Sequence, residues 1–463
     1  MPFSFTSSMR SVPLALPSAF PIDDATIRAN DAIASHATRT DRCRLARLGR
    51  RAALILGLAA AVSQGAQAAQ QATPTDGWQT AWATALQPVP RVAHAPSYNL
   101  APALGGRTLR QVIRVQVAGA QWRLRLSNRY GDRPVSIDAA SLAPAGRGAA
   151  LAGAPLALTF GGARSISLAP GESRLSDPLT TPLRPGPLAI SLAIDDKTAA
   201  PNTWHKLASQ LSYVSSDDKT MDRDAAPFKV GPTSWLFIDA LLVDARPPAG
   251  VIVAIGDSIT DGMRSTLNAN ARWPDRLAER IEADPATAGR AVVNQGISGN
   301  RLLSNSACYG ESLTSRFDHD ALTLPGSRDI IVLIGINDIN FQAMPPRAGL
   351  DCDFPHTAVS AADLIAGYRR LIERAHHAGK RIFGATLTPA SLPADREAIR
   401  LAVNHWMREA PGFDGVVDFD RVLRDPAHPA ALQRHYDSGD HIHPSDAGYR
   451  AMAEAIPLRF FSN

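Results

Sequence analysis

Two patterns of apolar and polar positions divide the chain. From about Gly77 to Ala245 the apolar runs are short and often alternate, most clearly in Trp122-Arg123-Leu124-Arg125-Leu126, which puts apolar groups on one face and cations on the other. This period predicts strands at Leu109–Val117, Gln121–Ser127, Val135–Leu142, Leu156–Phe160, Leu188–Ile194, Gln210–Val214 and Trp235–Val243. Turn-forming groups recur between them, as in Tyr130-Gly131-Asp132 and Pro170-Gly171-Glu172. Short strands at this spacing predict an all-β sandwich. A proline-rich hinge, Ala245 to Gly250, ends the region.

Beyond the hinge, apolar runs alternate with helical periodicity. Strands are predicted at Val251–Ile255, Ala291–Asn294, Asp329–Gly335, Arg381–Thr386 and Gly415–Asp418, and helices at Trp273–Ala283, Ala361–Ala378, Asp395–Glu409 and Ser445–Ile456. Repeated β-α units of this size imply a parallel sheet covered on both faces. At 463 residues the chain exceeds one ordinary core, so the reading is a β-sandwich domain over 77–245 and an α/β domain over 250–463.

Charge changes the picture little. The formal net charge is +5, but residues 1–68 hold eight Arg and four Asp with no Lys or Glu, so a single excess positive charge is left for the rest. That is too little for a phosphate-tracking surface, and no nucleic-acid partner is expected. The basic excess fits an export signal with a lengthened n-region. Arg42, Arg44, Arg47, Arg50 and Arg51 precede an apolar run from Ala52 to Val62, and the small-residue site Ala66-Gln67-Ala68 follows. The run is short for a membrane span, so a secreted or periplasmic product with no span after signal removal is expected. Cys43 leaves with the signal, and Cys308 and Cys352 remain as an even pair in an oxidising compartment, where a disulfide is expected. No Cys/His set has zinc-ligand spacing, and there is no HExxH or Walker loop, so no metal or cofactor is expected.

Candidate chemistry gathers in four polar blocks at the ends of successive elements. They are Gly256-Asp257-Ser258, Asn294 to Asn300 (Asn-Gln-Gly-Ile-Ser-Gly-Asn), Gly335-Ile336-Asn337-Asp338, and Asp440-His441-Ile442-His443-Pro444. Taken alone, Ser258 reads as a helix cap. In a parallel sheet, however, all four blocks fall on one edge, where such sheets bind ligands. A serine hydroxyl needs an adjacent base to act as a nucleophile. His443 supplies one, and Asp440, three residues earlier, is placed to fix its tautomer. The backbone N–H groups of Ser258 and Gly299 and the side-chain amide of Asn337 are the candidate oxyanion donors.

In this order the four blocks resemble those of the SGNH (GDSL-type) hydrolase superfamily, with Ile259 where the eponymous leucine would stand. The resemblance implies a flavodoxin-like α/β/α domain with five parallel strands. It also implies Ser258 as nucleophile, His443 as base, Asp440 as third member, and Gly299 (rather than Gly296) and Asn337 in the oxyanion hole. The whole chain resembles a secreted bacterial branch whose members are acylhydrolases, arylesterases or carbohydrate esterases. The GxSxG elbow of α/β-hydrolases is absent. His441 reads as a loop histidine, Asp338 and Asp257 as braces of their own loops, and Trp273 as helix packing. The flanking loops Arg301–Ser327 and Ile339–Val359 carry both mature cysteines and polar residues such as Asn305, Ser306, Glu311, Arg316 and Asp318. These favour a short-acyl ester, such as an acetylated carbohydrate, over the longer chains of a lipase or thioesterase. A glycan-binding surface protein is the reading from a different class.

Overall fold

Five apolar runs become the strands Val251–Gly256, Ala291–Gly296, Ser327–Leu333, Arg381–Ala385 and Gly415–Val417. All pair in parallel, in the spatial order second, first, third, fourth, fifth, which is the flavodoxin-like order expected. Their near-continuous apolar sequence follows from burial on both faces: all six residues of the first strand are buried. Register places Gly256 beside Gly296 on one side and Leu333 on the other, so three of the polar blocks leave the sheet at one level.

This computed structural model describes residues 77–91, 99–198, 200–245, 249–342, 351–409 and 412–462. The expected export segment 1–68, Arg246 to Pro248 of the hinge and part of the second flanking loop lie outside the described residues.

The long helices form where the period places them. Trp273–Ala283 buries Trp273, Leu277, Ala278 and Ile281 along one stripe. Ala361–His377 starts at a capping box made by Ser360 and Asp363, and the last helix, Asp446–Ala455, is capped by Ser445, whose Oγ accepts the Gly448 N–H. The short helices Leu313–Phe317, Ile336–Phe341 and Phe419–Leu423 were not predicted. Five or six residues span too few turns for a period to register.

The β-region is antiparallel. Its larger sheet is built around Arg107–Val115, Gly186–Ile194 and Val135–Pro144, and a second joins Trp78–Ala83, Ile238–Asp244, Trp122–Ser127 and Ser173–Leu175. The predicted single run Trp235–Val243 is two strands in different sheets, because Phe237 adopts a left-handed φ of 64° that turns the chain between Leu236 and Ile238. The predicted Gln210–Val214 begins only at Tyr213. Trp78–Ala83 carries no alternation because both of its faces are covered. It lies against the second strand of the parallel sheet, and the Thr80 backbone N–H and Oγ1 both donate to the Pro325 carbonyl, each at 2.9 Å.

One apolar core runs through both regions, from Leu109 and Trp122 past Trp82 and Trp235 to Val253, Val293 and Leu277. Among the described residues no helix is long and apolar enough to cross a membrane. Because the core is shared, residues 249–463 expressed alone are expected to be insoluble, or to melt well below residues 69–463, through exposure of the face that Trp78–Ala83 covers. Equal solubility and melting temperature of the two products would contradict this.

Candidate active site

The first strand ends at Gly256, where any Cβ would overlap the Leu333 carbonyl and Thr260 Oγ1. The chain then enters the short helix Ser258–Asp261. Asp257, not Ser258, is its cap: the carboxylate accepts the Ile259 N–H at 3.0 Å. The simpler reading of Ser258 as a cap is thereby overturned, and its hydroxyl turns elsewhere. Ser258 Oγ lies 2.8 Å from His443 Nε2, across 185 residues of sequence.

His443 is held from behind. Its Nδ1 is 2.8 Å from Asp440 Oδ2, while Asp440 Oδ1 accepts the backbone N–H groups of Ile442 and His443 at 3.1 and 2.8 Å. With Nδ1–H donating to the carboxylate, Nε2 is free to accept the serine proton. Partial burial works against the charge on Asp440. The bonds from His443 and the Arg264 guanidinium, 3.0 Å away, outweigh it and hold the carboxyl well below its usual range. His441 adopts a left-handed φ of 66°, points into solvent and pairs with Asp437 at 2.7 Å.

The second block is bound to the first. Ile297 N–H donates to the Gly256 carbonyl at 3.1 Å, and both the N–H and the Oγ of Ser298 donate to Asp261 at 2.9 and 2.6 Å. Gly299 sits at φ 80°, with the Tyr309 ring where a side chain would have to go. Asn337, at the start of Ile336–Phe341, donates from its amide to the Asn300 carbonyl at 3.0 Å, which anchors the third block to the second. Asp338 does the same from the opposite direction, accepting the Leu302 and Leu303 N–H groups at 2.7 and 3.0 Å. It braces the second block's loop rather than its own. Burial pushes Asp338 up to about 6 and Asp257 up to about 7.

Sequence reasoning missed the residue that joins these loops. Arg316, one of the polar residues of the flanking loops that favour a polar substrate, is wholly buried. It donates to the Gly256 and Gln295 carbonyls at 2.8 and 2.9 Å and to Asn300 Oδ1 at 3.0 Å, and it pairs with Asp320 at 2.9 Å. Glu311 is likewise engaged, by Arg129 and Tyr130 of the β-region. Nothing in a one-dimensional pattern separates such an arginine from a solvated one. Cys308 and Cys352 are joined in a disulfide across 44 residues, and Gln87 of the β-region donates to the Cys308 carbonyl at 2.9 Å. Among the described residues no group of three or more His, Cys, Asp or Glu is arranged to hold a metal ion.

A serine at the end of the first strand of a flavodoxin-like sheet, facing a histidine on the loop before the last helix, defines a hydrolase of the SGNH class. Residues 254–451 match the GDSL-like Lipase/Acylhydrolase family. Solved structures share the similarity over this part. A GDSL-like lipase from Bacteroides thetaiotaomicron VPI-5482 is 18% identical, with 46% of this chain and 88% of that one covered and a TM-score of 0.32. An alpha/beta hydrolase enzyme from the metagenome of Lake Arreo, Spain, is 26% identical over 46% and 94%, with a TM-score of 0.34. Axe2, an acetylxylan esterase from Geobacillus stearothermophilus, is 24% identical over 46% and 94%, with a TM-score of 0.33. No curated protein matches the chain.

The raised Asp257 pKa has a consequence for stability. A carboxyl that holds its proton up to about 7 in the fold, against about 3.9 in the unfolded chain, contributes stability that is complete below pH 4 and lost as pH rises toward 7. Asp257→Asn keeps the capping oxygen and cannot ionise. Its melting temperature is therefore expected to gain on the parent's between pH 4 and 7, and to hold that gain at higher pH. A constant difference between the two melting curves would contradict this.

Proposed function

We propose that the protein is an exported serine esterase that hydrolyses short-acyl carboxylic esters through an acyl-enzyme. The observation that carries this is the pair of 2.8 Å contacts linking Ser258, His443 and Asp440. In the proposed cycle, Ser258 Oγ attacks the acyl carbon as His443 Nε2 takes its proton, and Asp440 stabilises the imidazolium. The tetrahedral oxyanion is met by the N–H groups of Ser258 and Gly299 and by the Asn337 amide, which has a second N–H besides the one given to Asn300. Collapse breaks the bond to the alcohol, which leaves with the proton from His443. Water then adds to the acyl-enzyme, passing its proton to His443. Release of the carboxylic acid returns that proton to Ser258.

Two features support a small acyl group on a polar alcohol. Polar side chains stand exposed on and beside the Asp440–His443 loop, Arg264 at 58% and His441 at 71%. Among the described residues the exposed large apolar side chains are few, Leu267 and Phe354 among them, and they stand at separate positions in the sequence. The disulfide supports a fixed pocket wall and an oxidising compartment. With the arginine-led segment before Ala68, it favours a secreted or periplasmic protein. An acetylated carbohydrate fits these features and is the substrate class proposed.

A panel of p-nitrophenyl esters tests the reading. Activity is expected to be highest on acetate and to fall toward palmitate, and the reverse order would point to a lipase. Ser258→Ala and His443→Ala are expected to lower kcat by about 10⁴-fold or more, and Asn337→Ala by about 10²- to 10³-fold. Ester turnover unchanged in Ser258→Ala, with glycan binding retained by residues 77–245, would replace the esterase by a binding protein.

A further inference from the structure

We infer that His205, a side chain of the β-region, is a positioning residue for the oxyanion loop, acting through Asp261 and Ser298; this rests on the serine-esterase reading above. His205 lies on the strand Thr203–His205 and is buried against the short helix that begins with Ser258. Its Nδ1 is 2.9 Å from the Ala85 carbonyl, and its Nε2 is 3.0 Å from both Asp261 Oδ1 and the Leu207 carbonyl. Carbonyl and carboxylate oxygens only accept, so each ring nitrogen must bring a hydrogen, and the ring is an imidazolium. Burial opposes that charge, while Asp261 and the surrounding acceptors outweigh it and raise the pKa.

Asp261 is the hinge of the arrangement. It is the last residue of Ser258–Asp261, and it is buried. One of its oxygens faces His205, and the other accepts both the N–H and the Oγ–H of Ser298. Ser298 immediately precedes Gly299, whose N–H is the proposed oxyanion donor. A single carboxylate therefore sets the Ser258 helix and the Gly299 loop at a fixed separation, and the β-region supplies its countercharge.

A second cation that senses Asp261 is Arg272. It is committed to Asp275, at 2.6 Å, and stands over the Trp235 ring, against which His205 also packs. Without His205, the Asp261 carboxylate would be buried with no cation of its own. Its pairing with Ser298 would then no longer be held in place, and that frees the Gly299 loop. Oxyanion contacts strengthen in the transition state, so the loss belongs in kcat rather than KM.

The experiment uses the full mature chain with p-nitrophenyl acetate. Active-site concentration is taken from complete fluorophosphonate labelling of Ser258, so that kcat refers to folded, reactive protein. His205→Gln, which keeps one donor and loses the charge, is expected to lower kcat per labelled site by about 10- to 100-fold with KM within about twofold. Ser298→Ala, a local change at the last link, is expected to lower kcat in the same direction. The double variant is expected to be no worse than the poorer single one, because both act through Asp261. A purely structural His205 would reduce the labelled fraction and the melting temperature while leaving kcat per labelled site at the parent value, and that result overturns the proposal. So does Ser298→Ala at the parent kcat, which decides the matter if His205→Gln fails to fold. Absence of turnover in the parent protein would strike the esterase reading itself, whereas parent turnover with unaffected variants strikes only the role of His205.

Discussion

Strands that run in one direction deliver their carboxyl ends to one rim, and everything at this site depends on that constraint. Ser258 and His443 are 185 residues apart, yet their side chains meet at hydrogen-bond distance because the segments carrying them leave the layered α/β fold on the same side. The register of the first three strands brings Gly256, Gly296 and Leu333 level, so the loops that follow start from a common height. An antiparallel arrangement of the same strands would send alternate blocks to opposite edges and disperse the chemistry.

Holding the loops in place requires buried charge, which is costly unless paired and hydrogen-bonded. Arg316 meets that condition with two carbonyls, an amide oxygen and a carboxylate. Asp338 does so with two backbone N–H groups, and Asp261 with a histidine and a serine. The opposed pKa shifts follow from the same physics. Burial dominates at Asp257 and Asp338, whose carboxyls rise, whereas Asp440 receives enough donors to fall despite its partial burial. The third member of the candidate triad is thus a firm anion, in contrast to two other carboxyls of the site, which resist ionisation.

Much of this was legible in the sequence. The alternation of apolar runs and helical stripes gave the parallel sheet and its long helices, since strands covered on both faces and helices of ten or more residues leave strong periodic marks. The four blocks were visible because Gly, Asp, Ser, Asn and His at strand ends stand out against apolar neighbours. What could not be read is equally specific. The turn at Phe237 is imposed by packing at a residue with no turn propensity. The buried strand Trp78–Ala83 lacks alternation because another layer covers its second face. Arg316 and His205 look like ordinary surface residues until the chain is folded, and the partners of both include backbone carbonyls that no side-chain motif records.

Asp440 and His443 share a four-residue stretch whose backbone and side-chain bonds close on themselves. The pair therefore behaves as a cassette, with its internal geometry set locally and only its docking against Ser258 left to the fold. Exposed positions of the flanking loops, such as Phe354, can change and leave that cassette intact, whereas Arg316, the strand Ser327–Leu333 and Asn337 are tied to the site itself. Architecture of this kind separates the evolution of what is recognised from the evolution of how it is cleaved.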